Sequence, residues 1–396
     1  MTREELAKVF LESNNNNYVL QLPTAFGKTR IALQKIDKWY YKDCRILIVI
    51  PKLVLIDSWK DEIAKWNCEH ISDNITFTTY VSFPKHCGDK WDIVVFEEGH
   101  HLSERCRDAM SYLKTKHILV LSATINRDLM QYYKYVLRAT IYKVDVKDAI
   151  ENDVLPDPKL LLIPLKLDNS VYNQVIEKNI KKNRTTKNIQ TIGYAEKWKY
   201  KSYSGPLRIM CTQQQYYNEL SGLVEWYKQK STGSAIMRNM WLHKAGERLK
   251  WLAQQKESLI KEILKILKNH RVLTFCQSIK QTESLGCPCV NSKVGLDALE
   301  LFNKKKVKHI SACAILDEGC NLTDCQIGIF QMINSSQRMI TQRIGRELRH
   351  KNPVLIFPYL KNTRENEIVD DIVKDYNPSL IFTIDSDNLK SIKKYL

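Results

Sequence analysis

No apolar run in this 396-residue chain approaches the roughly 20 residues that span a bilayer; the longest, such as Ile46 to Ile50 and Leu160 to Ile163, are strand-sized. The segment Met1 to Leu6 has mixed charge and no apolar core, so neither a secretory leader nor membrane association is expected, and a cytoplasmic compartment follows, the host's if the gene is viral. The 11 cysteines are an odd number without paired C-x-x-C spacing, the one close grouping being Cys287-Pro-Cys289. Neither a disulfide framework nor a zinc module is expected from them. No internal repeat of fixed period is present. Acid is in short supply: 44 Asp and Glu stand against 61 Lys and Arg, a net charge of +17. That excess is more than solubility requires and points to a polyanionic partner. What remains is a globular composition, 44% apolar and 27% charged, with length for two or three domains of about 150 residues each.

Short β-branched runs alternate with helical patterns up to about Ile141: Tyr18 to Leu20, Arg45 to Ile50, Ile93 to Phe96 and His117 to Leu121. Continuously apolar strands between helices predict an α/β fold with a parallel sheet covered on both faces, and ligands then bind beyond the carboxyl ends of the strands. The alternation returns after a helix at Ser258 to Leu267, with strands at Arg271 to Phe275, His309 to Ala312 and Ile327 to Phe330. A Pro-containing exit (Leu155-Pro156-Asp157-Pro158), a polar basic tract and a helical region rich in Tyr and Trp lie between. The expected organisation is a first α/β domain over 1–154, a helical, basic bridging insert over 155–255 and a second α/β domain over 256–396. Asn14 to Asn17 reads as a solvated loop.

The first strand runs into Pro23-Thr24-Ala25-Phe26-Gly27-Lys28-Thr29, and a helical segment follows. Strand, loop and helix in this order form a phosphate loop: backbone N–H groups at the helix start cradle phosphate oxygens, Lys28 reaches the β- and γ-phosphates, and the Thr29 hydroxyl ligates Mg²⁺. The strict pattern has glycine where Leu22 stands. Another strand ends in Glu97-Glu98-Gly99-His100, where a parallel-sheet nucleotidase keeps its acids. Glu97 is placed to hold Mg²⁺ and Glu98 to orient and deprotonate water, with His100 sensing the γ-phosphate. Ser122 and Thr124, after the next strand, suit the coupling of nucleotide state to motion. Far along the chain, Gln342, Arg346 and Arg349 fall at i, i+4, i+7 of a helix whose opposite face carries Ile340, Ile344 and Leu348. Two guanidinium groups and an amide on one face can act on phosphates bound by the first domain.

Taken in order, these motifs resemble those of a superfamily 2 helicase of the DExH type, in the branch that includes UvsW-like phage helicases and type III restriction helicase subunits. Pro23 to Thr29 is similar to motif I, Val49 to Lys52 with Trp59 to motif Ia, Glu97 to His100 to motif II and Ser122 to Thr124 to motif III. Leu316 to Leu322 looks like motif V, and Gln342 to Arg349 is similar to motif VI. The resemblance implies two RecA-like domains in tandem, ATP and Mg²⁺ as cofactors, Gly319 and Asn321 in the nucleotide site, and strand contacts at Pro51 and Lys52. Three departures stand out. Glu97 replaces the usual Asp, Asn321 stands where an acid is common, and the upstream aromatic and glutamine arrangement that reads adenine is missing. Asp92 cannot replace the motif II acid, since five strand residues place it some 16 Å away at about 3.3 Å each.

Between Lys178 and Arg208 lie nine basic residues, Lys197, Lys199 and Lys201 among them, against the single acid Glu196, with Tyr194, Trp198, Tyr200 and Tyr203 interleaved. Such a tract reads either as a strand-contacting arm, in which phosphates meet the charges and bases stack on the rings, or as a solvated loop with core aromatics. The expected function is an ATP-dependent nucleic-acid motor acting on single-stranded or forked duplex DNA, with RNA as the alternative substrate. Two other readings stay open: a duplex translocase or annealing motor that does not unwind, and a nucleotide-gated binding protein with weak hydrolysis. Replication, recombination or restriction proteins are the expected partners.

Overall fold

A computed structural model describes residues 2–180, 205–313, 322–334, 344 and 350–396. The first sheet has six strands, β1 (Asn17–Gln21), β2 (Ile46–Ile50), β3 (Ile75–Thr79), β4 (Ile93–Glu97), β5 (His117–Ser122) and β6 (Thr140–Lys143), in the order β3-β2-β4-β5-β1-β6. All its pairings are parallel. Every residue of β2 and β4 is buried, as a sheet covered on both faces requires. The helices of this domain are α1 (Arg3–Glu12), α2 (Lys28–Trp39), α3 (Leu55–Lys65), α4 (Glu104–Met110), α5 (Arg127–Gln131) and α6 (Val146–Glu151), of which α2 to α5 lie between strands of the sheet.

Helix α1 starts from a Thr2–Glu5 capping box, which satisfies two N-terminal donors reciprocally. At its other end the buried Lys35 of α2 donates to the carbonyls of Phe10 (3.0 Å), Leu11 (3.3 Å) and Ser13 (2.7 Å). The ammonium also lies over the rings of Phe10, Tyr18 and Trp39. A cation at a helix C-terminus answers the exposed carbonyls there. Desolvation, with a smaller contribution from Lys38, pushes the Lys35 pKa down to about 8. This joint fixes α1 against α2 and brings Arg3 to the loop that precedes α2.

The second sheet has seven strands: β7 (Lys159–Leu165), β10 (Val272–Phe275), β11 (Cys289–Val290), β12 (His309–Ala312), β13 (Ile327–Phe330), β14 (Val354–Leu360) and β15 (Ile381–Thr383). Their order is β11-β12-β10-β13-β14-β7-β15, again with parallel pairings throughout. Strand β7 falls within the stretch read from sequence as bridging, yet it pairs with β14 from Val354↔Lys159 to Leu360↔Leu165. The chain thus enters the second sheet first, leaves it, and returns. Among the described residues the excursion holds an antiparallel pair, β8 (Gln174–Ile180) with β9 (Gly205–Cys211), and two long helices, α7 (Gln213–Lys230) and α8 (Ala235–Gln255). The helices α9 (Glu257–Ile266), α10 (Ile279–Ser284), α11 (Asp297–Asn303) and α12 (Arg364–Val373) flank the second sheet. At the α8–α9 junction, Lys256 makes a fully buried 2.6 Å ion pair with Glu365 of α12, whose second oxygen accepts from the Leu360 N–H. No helix among the described residues is long and apolar enough to cross a membrane.

Candidate active site

Three loops meet at the carboxyl edge of the first sheet because β4, β5 and β1 are neighbours there. The register pairs Glu97 with Leu121 and Gln21 with Ser122, so all three strands end level. Adjacent strands lie about 4.8 Å apart, which puts the acidic loop after β4 about 10 Å from the loop after β1, a span that a metal–phosphate group can bridge.

The loop after β1 turns tightly, with Phe26 N–H donating to Pro23 O at 3.2 Å and Leu22 N–H to Ser122 O at 3.0 Å. Ala25 (φ +69°) and Gly27 (φ +97°) are both left-handed, a backbone that turns N–H groups toward a common concavity. Lys28, the first residue of α2, is buried, and its ammonium donates to Leu22 O (3.1 Å) and Pro23 O (3.4 Å). Arg3 closes the loop from outside: Nε donates to Phe26 O at 2.6 Å and a terminal nitrogen to Ala25 O at 3.3 Å. Sequence reasoning missed Arg3, because only the Lys35 joint carries α1 to this place. Arg3 and Ala25 also line a cleft of about 1160 Å³, which α6, the connector to β7 and the turn at Tyr376–Pro378 complete.

Across from Lys28, Glu97 is buried, and among the described residues its Oε2 has no hydrogen-bond partner. Burial and the neighbouring Glu98 push its pKa up to about 8, against the opposing pull of Lys28 and His100. Glu98 is left-handed at φ +51°, and its Oε2 lies 3.3 Å from His100 Nδ1. His100 Nδ1 in turn meets Ser122 Oγ at 3.0 Å, and that hydroxyl donates to Thr124 O at 2.8 Å. His100, Ser122 and Thr124, read as sensor and coupler, therefore form one hydrogen-bonded chain, with the Glu98 carboxylate at ion-pair distance from its first member. Two buried tyrosines absent from the sequence reading touch the same loop: Tyr80 Oη donates to Glu97 O at 2.8 Å and Tyr133 Oη to Gly99 O at 2.6 Å. Asp92 sits at the far end of β4, bound to Tyr41, to the Arg45 N–H (2.9 Å) and to Lys116 (2.9 Å).

Among the described residues no group of three or more His, Cys, Asp and Glu could hold a metal ion. A Mg²⁺ that shares phosphate oxygens and waters needs only one or two protein ligands, and Glu97 with its orphaned oxygen fits that part. Pro51 and Lys52 follow β2 at the same edge, Lys52 exposed, whereas Trp59 of α3 is buried core. Ile344, expected in a buried stripe, is buried. Gly319, Asn321, Gln342, Arg346 and Arg349 lie outside the described residues, as do Lys197, Trp198, Lys199 and Lys201.

Two parallel-sheet RecA-like domains in tandem, with a phosphate loop and an acidic pair on one edge of the first, define a two-domain nucleotide-driven motor. Comparison with known proteins makes this specific. The family described as type III restriction enzyme, res subunit, matches residues 2–127, and the helicase conserved C-terminal domain matches 255–351; together they cover more than half of the chain. A DNA 3'-5' translocase, XPB2, of Sulfurisphaera tokodaii is 25% identical over 378 residues, covering 88% of this chain and 78% of that protein. Among solved structures, S. cerevisiae Dbp5 bound to RNA and ADP BeF3 shares the fold, with a TM-score of 0.64 at 12% identity over 99% of this chain and 91% of Dbp5. The Pyrococcus furiosus Hef helicase domain gives 0.51 at 12% identity over 93% and 97%. The chain belongs to the superfamily 2 helicases and is a helicase-like motor of that family.

Proposed function

We propose that the chain hydrolyses ATP between its two RecA-like domains and uses the cycle to translocate on DNA, unwinding forked duplex where it meets one. The observation that carries this reading is the meeting of Lys28, Glu97, Glu98, His100 and Ser122 at one sheet edge, where the buried Oε2 of Glu97 has no hydrogen-bond partner among the described residues. Lys28 exchanges two loop carbonyls for the β- and γ-phosphates. Thr29 and Glu97 hold Mg²⁺, which when bound neutralises phosphate charge. Glu98 orients the attacking water and takes its proton as the new oxygen–phosphorus bond forms and the bond to ADP breaks. His100, Ser122 and Thr124 pass the change to the domain boundary. From the second domain we assign Gln342, Arg346 and Arg349 to the transferring phosphate, and Gly319 and Asn321 to the nucleotide.

DNA is favoured by the relative named as a DNA translocase and by the match to a restriction-enzyme family. The net charge of +17 supports a polyanionic track, with Pro51, Lys52 and the basic aromatic tract around Lys197 to Lys201 as strand contacts. Contacts of that kind are mostly to the backbone and confer little base specificity. We place the protein in the UvsW-like branch, in a cytoplasm where its buried thiols stay reduced, working beside replication, recombination or restriction proteins. ATP turnover in the presence of single-stranded DNA, duplex DNA or RNA, followed by a forked-duplex strand-release assay, tests the reading. Stimulation by DNA with strand release supports it in full. Stimulation without release leaves translocation alone, and stimulation by RNA only overturns the substrate assignment.

A further inference from the structure

Glu98 holds a backbone conformation that a glutamate does not keep unaided. Its φ of +51° and ψ of +58° lie in the left-handed region, where a non-glycine residue persists only if its surroundings over-determine it. Two buried tyrosine hydroxyls grip the chain on either side of it. Tyr80 Oη donates to the Glu97 carbonyl, which belongs to the same peptide plane as the Glu98 nitrogen. Tyr133 Oη donates to the Gly99 carbonyl, one peptide beyond Glu98, which also accepts from the Leu102 N–H at 3.1 Å. The two rings come from different elements: Tyr80 follows β3, and Tyr133 lies in a π-helical turn over Tyr132–Val136. Between them Gly99 is pressed onto β5 so closely that a Cβ there would lie 2.2 Å from Val120 Cγ1 and 3.1 Å from Tyr133 Oη. The Glu98 carboxylate lies 3.3 Å from His100 Nδ1.

We propose that Tyr80 and Tyr133 are positioning residues for the hydrolytic step: as a pair they fix the Glu98 backbone, and so the place of its carboxylate relative to the attacking water. The proposal rests on the motor reading above, in which Glu98 accepts the proton of that water. Packing alone does not call for the hydroxyls, since phenylalanine fills nearly the same volume. Tyr18 supplies the control, a buried tyrosine whose hydroxyl donates to Ser13 O at 2.7 Å at the opposite end of β1.

The test compares ATP turnover of the full chain as wild type, Tyr80→Phe, Tyr133→Phe, the double variant and Tyr18→Phe, with the affinity for a fluorescent ATP analogue measured separately. A displacement of the catalytic group by a fraction of an ångström lowers kcat by on the order of 10-fold per single variant and about 100-fold in the double. KM for ATP and analogue affinity stay within about twofold of wild type, because only an interaction of the transition state is lost. Tyr18→Phe turns over as wild type. Since the tyrosines act through Glu98, adding Tyr133→Phe to Glu98→Gln leaves the residual rate unchanged. Unchanged kcat in either tyrosine variant, an equal loss in Tyr18→Phe, a rise in KM alone, or a further loss on top of Glu98→Gln each overturns the proposal. Either single variant, assayed below its own melting temperature, is enough to decide. A wild type without turnover refutes the motor reading and the proposal with it, whereas an active wild type with unaffected tyrosine variants refutes the proposal alone.

Discussion

Gly99→Ala is the substitution whose outcome the structure fixes most tightly. The added methyl would stand 2.2 Å from Val120 Cγ1, against a normal carbon–carbon contact of about 3.5–4.0 Å, so more than an ångström must be opened. Val120 is fully buried on β5, with β4 on one side and β1 on the other, and its branched side chain has little rotamer freedom. The strain therefore passes into the backbone, and overpacking of this kind costs about 1–3 kcal/mol. With a clash this short we expect the upper end, about 3 kcal/mol, which lowers the melting temperature of a domain of this size by roughly 6–12 °C. The assay is thermal denaturation of wild type, Gly99→Ala, Val120→Ala and the double variant. Val120→Ala alone destabilises by leaving a cavity, but in the double variant the alanine methyl occupies the space vacated by the valine. The double variant should therefore exceed the sum of the singles in stability by at least about 1 kcal/mol of favourable coupling. A melting temperature for Gly99→Ala within a degree or so of wild type, or strictly additive effects, refutes the packing argument.

Three further expectations follow from the same geometry. Lys256→Met alone strands the buried Glu365 carboxylate and should cost about 3–5 kcal/mol, whereas Lys256→Met with Glu365→Leu removes both charges and should cost only about 1–3 kcal/mol, for the orphaned Leu360 N–H, in denaturant titration; equal losses in both would contradict this. Burial and Glu98 raise the Glu97 pKa to about 8, which favours the protonated carboxyl near neutral pH. The stability this protonation confers is fully present below pH 4.5 and lost as the pH rises through about 8. Ionising Glu97 to receive Mg²⁺ at pH 7 should release close to one proton on Mg²⁺–ATP binding, read as a buffer dependence of the calorimetric heat that Glu97→Gln abolishes; an unchanged dependence in the variant sinks the assignment. Arg3→Ala frees the carbonyls of Ala25 and Phe26 and should weaken ATP affinity by about 10-fold with kcat little changed, at about 1.4 kcal/mol per tenfold; a loss confined to kcat would show that Arg3 acts elsewhere.

The parts of the site that the sequence made legible are those encoded by contiguous residues. A β-branched run followed by Ala25-Phe26-Gly27-Lys28-Thr29, and another followed by Glu97-Glu98, announce a strand end and the polar side chains beyond it within a few positions. The level ends of β1, β4 and β5 follow from that pattern once the sheet is parallel. The grips from outside stayed hidden. Arg3 reaches the loop before α2 because Lys35 caps a helix that ends 23 residues before it, and Tyr80 and Tyr133 reach Glu97 and Gly99 from a turn after β3 and a π-helical turn with no motif of their own. Strand β7 was hidden for a related reason: its partners β14 and β15 lie 195 and 221 residues later (Val354↔Lys159 and Ile381↔Leu160), and local periodicity carries no information about such pairings. The left-handed Glu98 was equally invisible, since glutamate gives no composition signal for a positive φ.

The central claim is that the edge built from Lys28, Glu97 and Glu98 hydrolyses ATP in response to a nucleic acid. Phosphate release by wild type, Lys28→Ala and Glu98→Gln, each with and without single-stranded DNA, duplex DNA and RNA and with nucleotide affinity measured alongside, tests it most directly. We expect DNA-stimulated turnover in wild type, no stimulated turnover in either variant, loss of ATP affinity in Lys28→Ala, and retained affinity in Glu98→Gln. A wild type that binds ATP yet turns over no faster than Glu98→Gln with every polymer would contradict it, and would mark the protein as a nucleotide-gated binder instead.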